Sequence, residues 1–288
     1  MWFLLALAAT LFQVLRNTAM KRLRHALDEY INVWGRFTFL LPFAGLPILV
    51  TGWPRLGPGF VAWCAAFGVS QTLSTLALSK ALKHSQISLV TPLWKISLLV
   101  LLGMAWVTIG ETPSPLGVAG VLLSALGVYL LNVQRARISF WQPLVVLVTD
   151  PGQRYTLLAA LFYAPSVITI KQAILSSDTA TGTFGGYLAG SLLVTPLALR
   201  TSARHFRAVP RYWKEFVALG LFAALTTLSQ GKAYTLTLSS YVEAVKQLEI
   251  LFAMAIGVLW FGEAQRVRES ALGAVVMLLG TVLLALAK

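Results

Sequence analysis

The chain has 288 residues, 57% of them hydrophobic and 11% charged, with a formal net charge of +13. A water-soluble domain is excluded by the apolar content. A nucleic-acid surface is excluded because the cations lie between apolar runs rather than on one face, where anionic headgroups account for them. One cysteine (Cys64) and three histidines (His25, His84, His205) rule out an intrachain disulfide and supply no ligand cluster, so neither a metal nor a cofactor is expected.

Ten apolar runs follow one another, each about 20 residues long, the length that crosses ~30 Å of hydrocarbon. The first, near 2–20, starts at Trp2 without a basic flank or cleavage site and is expected to remain a helix; it contains Arg16 and Asn17. The second (31–50) holds Arg36, and the third (59–79) holds Cys64 and Gln71. The fourth (86–109) carries Pro92, Trp94 and Lys95 and closes on Gly110–Glu111; the fifth (115–133) carries Gly120 and Gly127. A connector at 136–153 then places Phe140, Trp141, Leu144 and Val148 as the apolar face of a short interfacial helix, ended by Asp150–Pro151–Gly152. The sixth run (155–173) holds Tyr163 and Ser166, the seventh (182–199) Tyr187, and the eighth (215–234) Gln230. The ninth (240–261) contains Glu243, Lys246, Gln247 and Glu249 and closes on Gly262–Glu263; the tenth (269–287) carries Gly273 and Gly280.

The second half echoes the first. Lys80–Ala81 and Lys232–Ala233 each close a span, Gly110–Glu111 and Gly262–Glu263 the next, and both offsets are 152 residues. Five spans begin and end on opposite sides of the membrane, so a second copy must be inverted. The expected fold is all-α and integral to the membrane: ten transmembrane helices in two inverted five-helix repeats, 1–135 and 154–288, joined by the connector 136–153.

The stretches LVTPLWKISLLVLLGMAWVTIGE and YVEAVKQLEILFAMAIGVLWFGE, each followed by a turn and a helix of form G-x₆-G, resemble the EamA family of the drug/metabolite transporter superfamily. The resemblance covers essentially the whole chain, although its motifs are helix-packing patterns. It implies a compact helical transporter of small metabolites, often amino acids or other organic solutes moved outward, and not an enzyme.

Charges inside spans are the candidates for chemistry, because an ionisable group in hydrocarbon needs a cavity or a partner. Glu243, Lys246 and Gln247 share one helical face, and Glu249 stands three residues beyond Lys246. Lys95 aligns with Gln247, so each repeat brings a lysine to similar depth, while Pro92 frees a carbonyl one turn away. The expected substrate-binding set is Lys95, Lys246, Glu243, Gln247, Trp94, Arg36, Tyr163, Tyr187 and Gln71, with Glu249 as the proton-coupling residue. The competing structural reading is a Glu–Lys pair that locks the ninth helix to its neighbours. Glu111 and Glu263, at turns, read as caps or members of a loop salt bridge rather than transport residues.

Fifteen Lys and Arg residues fall in the odd-numbered loops and four in the even loops and tails. The positive-inside rule then puts both termini outside the cytoplasm, unlike the usual arrangement in the family. The expected function is secondary export of a small polar solute, an amino acid or organic acid, across the inner membrane by alternating access. The excess of in-span cations (Arg16, Arg36, Lys95, Lys246) over anions (Glu243, Glu249) favours a carboxylate or phosphate on the substrate. Expected partners are that solute, the bilayer and a second copy in a homodimer, with no nucleic acid. A flippase for a lipid-linked headgroup is the alternative. An intramembrane enzyme lacks any His or nucleophile–base set in the spans, and ATP drive lacks a phosphate-binding loop.

Overall fold

A computed structural model describes residues 1–24, 27–85, 90, 93–136, 150–252, 255 and 271–287. Among these residues every regular element is a helix: α1 (Trp2–Arg24), α2 (Glu29–Thr38), α3 (Leu40–Thr51), α4 (Phe60–His84), α5 (Ser97–Ile109), α6 (Pro115–Ala136), α7 (Pro151–Leu175), α8 (Thr179–Phe206), α9 (Trp213–Tyr234), α10 (Ser239–Lys246) and α11 (Ala271–Leu286), with a 3₁₀ turn at Val209–Tyr212. Six stretches are long and apolar enough to cross a membrane: Trp2–Met20, Glu29–Thr51, Phe60–His84, Pro151–Leu175, Thr179–Phe206 and Val209–Tyr234. Shorter apolar helices cover Ser97–Ile109, Pro115–Leu131 and Leu272–Leu286. Large aliphatic side chains such as Leu49, Val50, Val61 and Leu192 stand exposed on these helices, a surface that hydrocarbon, not water, satisfies. The chain is a multi-pass membrane protein. Most of the second half of the ninth run, Pro92, Glu263 and most of the expected interfacial connector lie outside the described residues.

Proline explains one break directly. The span Glu29–Thr51 divides at Phe39 because Pro42 has no N–H for the Thr38 carbonyl and its ring crowds that oxygen.

The helices sort into two compact units, one of Met1–Leu76 with Pro165–Leu236 and one of Ala77–Ala164 with Thr237–Lys288. Each unit therefore draws on both halves of the sequence. In the first, α1 packs on α9, and α8 packs on α2 and α3. In the second, α6 and α11 pack most intimately. A Cβ on Gly127 would lie 2.3 Å from Met277 N, and one on Gly273 would lie 2.4 Å from Leu131 N. Gly120 meets Leu284 while Gly280 meets Ser124, so contacts run in opposite directions along the two chains and the helices are antiparallel. Only bare Cα atoms permit backbones this close, and dispersion between them is a main source of helix association in lipid.

Connections pack in matched pairs within each unit. In the first, Asp28 caps α2 through Ile31 N (3.0 Å) and accepts the hydroxyl of Ser202, at the kink in the last turns of α8, while Gly57 N donates to Ser176 O (2.7 Å). His205 Nδ1 lies 3.2 Å from Asp28 Oδ2 without the alignment of a hydrogen bond. In the second, Ser85 donates to Asp150 and accepts from Gln153 Nε2 (3.0 Å), while Ser114 N donates to Tyr241 Oη (3.2 Å).

Candidate functional site

The backbone of the second unit leaves the α-helical ladder at two corresponding places. Ahead of α5, Ile96 N bonds Leu93 O (3.1 Å), Leu98 N bonds Lys95 O (3.2 Å) and Leu99 N bonds Ile96 O (2.9 Å). After α10, Gln247 N bonds Ala244 O (3.1 Å), Leu248 N bonds Val245 O (3.0 Å) and Ile250 N bonds Gln247 O (3.2 Å). All six bonds span three residues, the tighter 3₁₀ register. The turns at Lys95–Ile96 and Gln247–Leu248 are separated by the same 152 residues as the dipeptides of the sequence echo. Tightened stretches inside apolar helices persist where side chains or a polar space satisfy the freed backbone groups.

Four of the six in-span charges gather at these turns. Lys246 Nζ lies 3.0 Å from Glu243 Oε1, with the two residues only 4% and 3% exposed. Tyr163, from α7, donates its hydroxyl to Glu243 Oε2 (2.8 Å), and its ring meets Trp94 edge-to-face at 5.2 Å. Lys95 Nζ reaches Glu249 Oε1 at 3.5 Å, tying the fourth run to the ninth. Gln247 Nε2 donates to Glu243 O (3.3 Å), while its buried Oε1 has no hydrogen-bond partner among the described residues. Seven predicted residues, Trp94, Lys95, Tyr163, Glu243, Lys246, Gln247 and Glu249, thus belong to one unit. A proton acceptor, two ammonium groups and an aromatic wall stand together there.

Charge at this cluster is balanced, two lysines against two glutamates. The expected surplus of buried cations does not hold here; Arg16 and Arg36 lie in the first unit, and Arg16 donates to Asn17 Oδ1 through Nε (3.2 Å) and Nη2 (2.9 Å).

The remaining predicted residues, Gln71, Tyr187 and Arg36, also belong to the first unit. Gln71 Oε1 accepts from Ser166 Oγ (2.8 Å), the serine after Pro165 in α7. Tyr187 is 4% exposed, its ring between Phe37 (5.5 Å) and Phe67 (5.1 Å). Arg36 Nε is buried without a hydrogen-bond partner among the described residues.

Glu111 proves to be a cap across elements. Its carboxylate accepts Ser239 N (3.1 and 3.0 Å to the two oxygens) and Ser239 Oγ (2.8 Å), so the residue that closes α5 holds the first turn of α10. A carboxylate there satisfies an otherwise orphaned N–H and opposes the positive helix end. Tyr241, which meets Ser114 beside it, had no periodic signal in the sequence.

Buried, mutually neutralised charges on interrupted helices, in a chain of membrane-length apolar helices, are the features of a helical membrane transporter. The chain belongs to the EamA-like transporter family, within the drug/metabolite transporter superfamily: the family's sequence profile matches residues 1–133 and 151–286. A solved crystal structure is similar in fold, with a TM-score of 0.76 at 16% identity, covering 99% of this chain and 96% of the other. No curated protein sequence matches the chain significantly.

Proposed function

We propose that the protein is a secondary active exporter of a small polar organic solute, an amino acid or organic acid, working by alternating access in the inner membrane. In this reading ten spans form two inverted five-helix repeats, supported by the matched helix interruptions and the antiparallel α6–α11 pair. The observation that carries it is the charge-balanced cluster of Lys95, Glu249, Lys246 and Glu243 beside Tyr163 and Trp94. Its neutrality favours a solute with both an ammonium and a carboxylate over a simple anion: the carboxylate exchanges for a glutamate on a lysine, and the ammonium takes the glutamate released. Each exchange replaces one charge-assisted contact by another, so no buried charge is left bare. Glu249, with its side chain 20% exposed against 4% for Glu243, is the carboxylate assigned to the coupling proton.

The test is counterflow in proteoliposomes: preload with an unlabelled amino acid or dicarboxylate and follow uptake of the labelled solute. Accelerated uptake of an amino acid that Lys246→Met removes is the expected result. Acceleration by dicarboxylates alone would return the site to simple anions. Movement of a lipid-linked headgroup with no soluble counterflow would establish the flippase reading instead.

A further inference from the structure

Five cations recur at every third or fourth residue from the end of α8 into α9: Arg200, Arg204, Arg207, Arg211 and Lys214, all exposed. The backbone makes consecutive right-handed turns there, with Arg207 at φ −63°, ψ −23° and Ala208 at φ −86°, ψ −17°, bent by Ser202 (φ −136°, ψ 25°) and Tyr212 (φ −108°, ψ 24°). Each turn therefore carries one cation.

The apolar residues between them point the other way. Phe206, Ala208, Val209 and Tyr212 pack on the core of Leu23, Leu27, Ile31 and Phe216, and Phe206 meets Trp34 at 4.8 Å. The band is thus amphipathic and anchored, and its cations project by construction. None of the five forms an ion pair among the described residues. Acids at the same end are engaged elsewhere: Asp28 is the N-cap of α2, and Glu29 and Glu215 occupy first helical turns, where they face the positive ends of their helices. Trp213, 54% exposed, carries Lys214 over its ring at 5.8 Å, and Arg211 lies 5.9 Å from the Tyr212 ring.

We propose that this band is a docking surface for the headgroups of anionic phospholipids. Fifteen residues in turns extend about 20 Å, which covers several headgroups but exceeds any single small anion. The band closes one membrane-length helix and opens the next, with the exposed Trp213 beside Lys214, so its partner must offer many negative charges beside hydrocarbon.

The experiment places the full chain in nanodiscs of pure phosphatidylcholine or of phosphatidylcholine with about 30% phosphatidylglycerol, and follows thermal unfolding. The wild type is expected to melt several degrees higher with the anionic lipid. Arg207→Gln/Arg211→Gln should lose at least half of that gain, Arg207→Lys/Arg211→Lys should keep most of it, and Lys80→Gln/Lys83→Gln, equal in charge but at the end of α4, should keep nearly all. The proposal is overturned if the wild type shows no gain, if the two Gln pairs lose it equally, or if the Lys pair loses as much as the Gln pair. It is also overturned if inorganic phosphate added to phosphatidylcholine discs reproduces the gain, which would make the band a site for free anions.

Discussion

Lys246 and Glu243 are held 3.0 Å apart, three residues apart on one helix, and both are nearly inaccessible. Desolvating such a pair costs several kcal/mol per ion, offset by their attraction and by the Tyr163 hydroxyl on the second carboxylate oxygen. Lys246→Met should destabilise the protein by about 3–5 kcal/mol, because the buried Glu243 carboxylate loses the ammonium that offsets its charge. Adding Glu243→Gln should restore most of that stability without restoring binding, which is expected to weaken by ~1–3 kcal/mol in either variant. Thermal unfolding and solute titration on the same samples separate a structural lock from a binding site. Recovery of both in the double variant would leave only the lock. Glu249 is expected to behave differently: Glu249→Gln should abolish transport driven by a pH gradient while solute-for-solute exchange continues, since exchange needs no net proton movement. Parallel flux assays with and without the gradient decide this. An unchanged gradient-driven rate would remove Glu249 from coupling. At this scale the sequence identified the charged residues through their cost in hydrocarbon and the Glu243–Lys246 pair through its spacing on one helical face, but not the pairing of Lys95 with Glu249. Lys95 and Glu249 are 154 positions apart, and no local periodicity links them.

Helix packing shows the same division between what a pattern reveals and what needs three dimensions. The spacing of Gly120 with Gly127 and of Gly273 with Gly280 was legible, because two small residues on one face mark a close approach. Their partners were not: Gly127 meets the backbone of Met277 and Gly280 that of Ser124. Gly127→Val should therefore destabilise by at least the ~1–3 kcal/mol typical of overpacking, since the obstructing atoms are main chain and cannot rotate away. Gly103, inside α5, has nothing within 4 Å of an added Cβ, so Gly103→Ala should be neutral or stabilising by up to about 1 kcal/mol. Unfolding of both variants in one detergent tests the contrast, and equal effects would deny the close contact. The 3₁₀ turns at Lys95 and Gln247 were only partly legible: Pro92 signals an interruption in the fourth run, but the ninth run has no proline between Ser239 and Phe252.

Across the whole chain, the ten-run reading makes a demand on the connections: those on the same side of the membrane alone can touch. Within the units they obey it. The first connection meets the seventh through Asp28 and Ser202, and the third meets the fifth through Ser85 and Asp150. The second meets the sixth through Gly57 and Ser176, and the fourth meets the eighth through Glu111 and Ser239. Odd connections pair with odd and even with even, as an alternating series of spans requires. Fifteen of the 23 Lys and Arg residues fall in the odd set, so the charge bias has a consistent structural side within each unit. Cytoplasmic loops carry that excess. This reading predicts both chain termini on the opposite, extracytoplasmic face, against the family's usual orientation. Alkaline phosphatase fused after Lys288 should be active, and a fluorescent protein fused there and exported unfolded should be dark. Moving the bias should move the protein: replacing Arg200, Arg204, Arg207 and Arg211 by Gln, with four lysines added beside Arg55, should shift a measurable share of molecules to the reverse orientation, read as phosphatase activity lost and fluorescence gained. A dark phosphatase and a bright fluorescent fusion in the unmodified chain would show that the family orientation holds despite the charges.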